Sequence, residues 1–257
     1  MGAGSRLNPC PSESPAGVDL DGGLRMMSQA LASGLIALVV CAGDAPAADL
    51  STLVGRHVAG YQGWFACPSD PIDPRWSHWF LGGQKPQPTA LSVDLWPDLA
   101  EFNKDELCPT GFTLSSGDPA FVFSSENAKT VRRHFQWMRE YGIDGVAVQR
   151  FVGQLTSPLR LQRSDTVLRN IRVAAEAEGR GFFLMYDVTG LATDAEVATV
   201  TRDWTQLATA EHITQSPSYM RHRGKPVVGV WGLGVGDRKA TPRRLPCSSA
   251  SSRRKRM

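Results

Sequence analysis

Four apolar runs dominate the middle of the chain, and each ends in polar or aromatic side chains. They are HVAGYQGWF (His57 to Phe65), GVAVQRFVG (Gly145 to Gly153), GFFLMYDVTG (Gly181 to Gly190) and KPVVGVWGLG (Lys225 to Gly234). Near-continuous Val, Phe, Leu and Ala runs of this length suit strands buried on both faces, as in a parallel sheet covered by helices. Between the last three lie helical patterns. Val131, His134, Phe135, Met138 and Tyr141 recur at three- and four-residue steps over Thr130 to Tyr141, and Leu168, Ile171 and Ala175 do so over Asp165 to Glu178. Thr193 and Glu196 have capping-box spacing ahead of a stripe of Val197, Val200, Trp204 and Leu207. Strands alternating with helices predict an α/β fold with a parallel sheet, either open and doubly wound or a (β/α)8 barrel.

In both architectures the ligand sits at the carboxyl ends of the strands. The residues that fall there are Tyr61, Gln62, Trp64, Gln149, Arg150, Tyr186, Asp187 and Trp231. Aromatics, amides, one guanidinium and one carboxylate suit a polyhydroxylated ligand such as a sugar. Any one of these aromatics taken alone serves packing equally well, and it is their coincidence at four strand ends that points to a site. Asp144, at the opposite end of its strand, reads as structural.

The long segment from Ala66 to Ser125 is unusual for a βα connection. It holds Trp76, Trp79 and Trp96, which suit either stacking on sugar rings or covering the sheet edge, and a hairpin pattern around Ser115 to Asp118. Asp70 and Asp73 read as turn residues. No metal site or cofactor is expected: there is no P-loop, no His-Glu-x-x-His, no Cys/His zinc spacing and no Gly-x-Ser-x-Gly elbow, and Gly232-x-Gly234-x-Gly236 leads into no helix.

The two ends differ from the body. Residues 1–25 are rich in Gly, Ser and Pro and read as a leader outside the fold, with translation starting at Met26 or Met27. Residues 26–47 have the layout of a secretory signal: a short apolar core from Ala30 to Ala42, then Ala45-Pro46-Ala47 as a small-x-small cleavage site. The expected location is the periplasm or the exterior, with no membrane association after cleavage. Residues 48–237 form the folded body, and 238–257 a basic, Ser-rich tail with eight Lys and Arg and no acidic residue. Setting those eight against the chain's net charge of +3 leaves the remainder at −5. Such a tail suits a nucleic-acid arm or localisation signal, but nothing else in the body suggests nucleic acid, and no nucleic-acid partner is expected. The tail has the texture of a broken reading frame. Cys67 and Cys108 are the cysteines of the body; in an oxidising compartment they suit a disulfide, in the cytoplasm two thiols.

A resemblance runs through these segments. GYQGWF, WSHW, VDLWPD, PTGF, FSS, HFQWMREYGIDGVAVQRFV, MYDVTGL, DW and SPSYMRHRGKPVVGVWGLG, in this order over roughly Leu53 to Asp237, resemble the glycoside hydrolase family 71/99-like group, relatives of endo-α-mannosidases. The resemblance implies the first half of a (β/α)8 barrel, about four strands, a glycan partner, and hydrolysis of an α-linked, mannose-type bond. The Asp/Glu-rich motif that this group carries after a later strand is absent. Glycosidases use two carboxyl groups flanking the scissile bond, about 5 Å apart for retention, whereas the strand ends here supply Asp187 alone. The catalytic residues therefore stay unassigned, and the chain is expected to be inactive by itself. A non-catalytic carbohydrate-binding half-barrel is the alternative.

Overall fold

A computed structural model describes residues 46–83, 85–189 and 194–232. The chain runs β1 (Val58–Tyr61), β2 (Leu107–Thr113), β3 (Pro119–Phe123), α1 (Ala128–Glu140), β4 (Gly145–Phe151), α2 (Val152–Leu155), α3 (Pro158–Glu178), β5 (Gly181–Asp187), α4 (Asp194–Thr205), β6 (Arg221–His222), β7 (Lys225–Pro226) and β8 (Val228–Trp231). The central sheet has the order β1-β4-β5-β8 and every pairing in it is parallel. Each strand lies beside the next sheet strand in the chain. A doubly wound sheet reverses direction at a switch point, and this one does not. The progression is that of four successive strands of a (β/α)8 barrel, so the fold is α/β with a partial barrel. Among the described residues no helix is long and apolar enough to cross a membrane.

The helices form where local chemistry and burial agree. Asn127 caps α1 by accepting the Lys129 N–H at 2.9 Å, and Val131, Phe135 and Met138 go inward against the sheet. Pro158 opens α3, and Gly179, with φ 61°, closes it in the left-handed conformation that glycine tolerates best. The pattern predicted this helix from Asp165, about two turns too late. Its opening turns bury little apolar surface and so carry no periodic signal. The capping box at Thr193 falls outside the described residues. The run from Lys225 divides: Lys225 and Pro226 pair with β6, and the sheet receives Val228 to Trp231.

The segment between β1 and α1 builds a second, smaller core of Cys67, Trp79, Phe80, Ala90, Cys108 and Val122. The β2–β3 hairpin supports it, turning through Leu114 to Asp118. Trp79 and Trp96 donate their indole N–H groups to the Phe123 and Phe121 carbonyls at 2.7 and 2.8 Å, so both serve packing. Cys67 and Cys108 form a disulfide across this core.

Side chains of the parallel strands alternate between the helices and the barrel interior. Three of the eight strand-end residues turn to the helix side, contrary to the expectation that they meet a ligand. Tyr61 packs against the main core and shares a 3.0 Å hydrogen bond with His134 of α1. Arg150 is 2% exposed, bonding Asp203 of α4 (Nε to Oδ2, 2.9 Å) and Asp165 of α3 (3.0 Å). Tyr186, 1% exposed, donates to the same Asp203 at 2.5 Å. Burial works against the Arg150 charge, but Asp203 and Asp165 outweigh it and hold the guanidinium above its ordinary value. These residues fasten the sheet to its helices.

The Tyr61 to His134 contact carries a pH prediction. Burial, outweighing the pull of Glu106, lowers His134 to about 4. An unfolded histidine titrates near about 6.5, so the unfolded chain binds the extra proton first. The contribution of neutral His134 is present above pH ~6.5 and is lost as pH falls from there through about 4. The denaturation midpoint should fall between pH 7.5 and pH 4.5 by more in the parent than in His134→Gln; equal slopes would show that the imidazole is not the group responsible.

Candidate functional site

The remaining strand-end residues gather on the interior side. Gln149 donates from Nε2 to Asp187 Oδ2 at 2.7 Å, joining β4 to β5. Asp187 Oδ1 accepts the Thr189 N–H at 2.8 Å, so both carboxylate oxygens are engaged and the side chain is fixed. Trp231 pairs with Asp187 in the ladder and leaves 55% of its surface open. Gly232, at φ 92°, brings the backbone close to this pair: a Cβ there would lie 3.0 Å from Thr189 Oγ1.

Gln62 and Trp64 follow β1 around Gly63, which has φ 57° and packs so tightly on α3 that a Cβ would meet Val167 at 2.7 Å. Trp64 stacks on His78 (centroids 4.1 Å, 9° between planes) and on Phe151 (5.1 Å, 18°). Its stacking surface is therefore taken up by protein rings rather than offered to a sugar.

Beside these residues opens a cleft of about 380 Å³. Gln62, Trp64 and Gln149 line it from the strand ends, Asp73, Arg75, Trp76 and His78 from the long loop, and Gln154, Arg160, Arg163 and Ser164 from the α2–α3 region. Asp73 takes two bonds from Arg75, Oδ1 from Nε at 2.7 Å and Oδ2 from Nη2 at 2.9 Å, and this hydrogen bonding holds its carboxyl below the usual range despite burial. Arg163 bonds Glu126 at 2.5 Å behind the cleft wall. Burial raises the Glu126 carboxyl, with Asp70 nearby adding to the effect. Ser164 donates to Gln154 Oε1 at 3.0 Å, which orients that amide. His78 holds φ 59°, uncommon for a residue with a side chain, and accepts the Ser92 hydroxyl at its carbonyl. Burial, then Arg163 and Arg160, push its imidazole below the ordinary value.

Sequence reasoning missed His78, Gln154, Arg160, Arg163 and Ser164. The WSHW segment drew attention to its tryptophans, and the opening turns of α3 showed no pattern at all. Asp70 behaves as a turn residue, accepting the Cys67 N–H and the Ser124 hydroxyl, each at 2.7 Å. Asp144 accepts the His57 N–H at the far end of the sheet. Among the described residues no group of three His, Cys, Asp or Glu is disposed to hold a metal ion.

Comparison with protein-family models and with curated proteins yields no match. Among solved structures, the chain is similar to a GH99 endo-alpha-mannosidase from Bacteroides thetaiotaomicron in complex with BIS-TRIS-propane, at 14% identity and a TM-score of 0.44 over 68% of this chain and 41% of that one. A second structure of such an enzyme from the same organism gives 16% identity and a TM-score of 0.41, over 68% and 44%. The chain thus spans less than half the length of both.

Proposed function

We propose that the cleft at the carboxyl ends of the parallel strands binds a glycan. The observation that carries this reading is the Gln149 to Asp187 pair, fixed at 2.7 Å on the interior face where Gln149 also lines the cleft. A locked carboxylate orients the amide, whose remaining donor and carbonyl can meet sugar hydroxyls, and Trp231 next to it supplies an open aromatic surface. Asp187 acts as a positioning carboxylate, because both of its oxygens already accept N–H groups. Among the described lining residues Asp73 is the sole carboxylate, and Arg75 holds it ionised; a two-carboxyl mechanism needs one group kept protonated. These residues therefore support recognition. Hydrolysis of an α-linked, mannose-type bond is the activity that the sequence resemblance implies for the group, and this chain by itself is proposed to bind without hydrolysing. Export to the periplasm or exterior belongs to the proposal too, supported by the signal-like segment 26–47 and by the Cys67 to Cys108 disulfide.

Titration calorimetry with mannose-containing oligosaccharides tests the binding. Gln149→Ala should weaken it about tenfold, as expected for losing a hydrogen-bonding group held by a charge, with the chain still folded and its melting temperature lowered only slightly, because Asp187 keeps the Thr189 N–H. A parent protein that binds no glycan sinks the proposal. A Gln149→Ala variant that binds as well as the parent removes the pair from the site.

A further inference from the structure

Arginines outnumber carboxylates around the cleft. Arg75, Arg160 and Arg163 face it, and the one carboxylate among the described lining residues, Asp73, is bound by Arg75, lies 3.8 Å from Arg163 and is within the field of Arg160. The rest of the chain gives no reason for this excess, since the chain without its basic tail carries a net charge of −5.

The least satisfied of the three arginines is Arg160. The residue is exposed, and no ion pair with a described residue holds it, whereas Arg75 is bound to Asp73 and Arg163 to Glu126. Arg160 also stands where a helix disfavours it. The first turn of α3 contains no acidic residue, and Ser157 gives its N-terminus no side-chain cap. The helix dipole is positive at this end, so an arginine here works against helix stability and in favour of a negative ligand. His78 completes the wall with a further hydrogen-bonding group.

We propose that the cleft recognises a sugar unit bearing an oxyanion, a carboxylate, sulfate or phosphate, with Arg160 as its ion-pairing residue and Gln149 and Gln154 at its hydroxyls. The inference rests on the glycan reading above and narrows it to acidic glycans. A guanidinium matches such groups with two parallel N–H donors, which a neutral sugar cannot use. The volume of about 380 Å³ falls within the range of small-ligand sites, about 300 to 1,000 Å³.

The test is calorimetry on the full chain with matched oligosaccharides: a neutral mannose-type one, the same one carrying a phosphate or a sulfate, and one containing a uronic acid. At least one acidic form should bind about tenfold tighter than the neutral one, and the advantage should shrink as salt rises from roughly 50 to 300 mM. Arg160→Ala should abolish the preference, bringing the acidic forms down to the affinity of the neutral one. Arg169→Ala, which removes an exposed arginine of the same helix outside the cleft lining, should leave the preference intact. Equal affinity for neutral and acidic forms overturns this inference and leaves the glycan reading standing; binding of neither overturns both. Inorganic sulfate binding as tightly as the acidic sugars overturns it in favour of a plain anion site. The form that binds tightest identifies the oxyanion.

Discussion

Asp203→Asn should lower the unfolding free energy by about 3 to 5 kcal/mol, the largest single-site loss expected in this chain. The reason lies in what the carboxylate holds. Arg150 is 2% exposed and receives its counter-charge from Asp203, through Nε at 2.9 Å and a second, shorter contact from Nη2, and from Asp165 at 3.0 Å. Tyr186 Oη donates to the same Asp203. The amide removes the nearer charge from a guanidinium that water cannot reach, and it leaves Tyr186 with a weaker acceptor. Asp165, with 21% of its side chain exposed against 10% for Asp203, compensates in part. Asp165→Asn should therefore cost less than Asp203→Asn. Whole domains are stable by only about 5 to 15 kcal/mol, so the Asp203 change should show as a large drop in denaturant midpoint. Replacing the set by apolar side chains, Arg150→Met with Asp203→Leu and Tyr186→Phe, together with Asp165→Asn, should recover much of the loss, because the desolvation of the charges disappears with them. A shift under 1 kcal/mol for Asp203→Asn would show that solvent already screens the pair.

The same network shows where the sequence stops being informative. The four strands, their parallel pairing and the helices between them were legible because apolar runs and three-to-four-residue stripes are direct consequences of burial. Which end of each strand carries the polar residues was legible for the same reason. Which face they point to was not. A half-buried strand alternates apolar with polar residues and so declares its faces, but a strand covered on both sides reads as one continuous run. In VQRF nothing separates Gln149, which turns to the cleft, from Arg150, which turns to the helices, and in MYD nothing separates Asp187 from Tyr186. The partners that decide the matter, Asp165 and Asp203, sit 15 and 53 residues away from Arg150. The arginines at the start of α3 were hidden for the opposite reason: they face a cleft rather than a core, and a cleft imposes no periodicity. The tryptophans of the long loop show the converse. They suited either sugar stacking or cover for the sheet edge, and the indole donors of Trp79 and Trp96, satisfied by backbone carbonyls, favour packing.

Removing the Cys67 to Cys108 bridge should loosen the long loop before the sheet and take the cleft wall with it. The bridge closes a sequence separation of 41 residues. Loop-closure entropy for a ring of that size corresponds to about 4 kcal/mol, within the range usual for native disulfides. Few other interactions can replace it. The second core holds six buried hydrophobic residues, against twenty-four in the main one, and its regular structure amounts to one short hairpin and isolated helical turns. Asp73, Arg75, Trp76 and His78 all sit inside the closed ring, and all line the cleft. In Cys67→Ala/Cys108→Ala, or in the parent after reduction, tryptophan fluorescence should shift as Trp76, Trp79 and Trp96 meet water. Proteases should cut between residues 68 and 107 at concentrations that leave the oxidised chain whole. Far-ultraviolet circular dichroism of the sheet and helices should persist to higher denaturant than the fluorescence signal, because α1, α3 and the parallel strands form the main core without the loop. Ligand affinity should fall with the fluorescence transition rather than with the loss of helix. Coincident transitions would mean that the two cores unfold as one unit, and an unchanged cleavage pattern after reduction would mean that the small core holds the ring closed without its sulfur bridge.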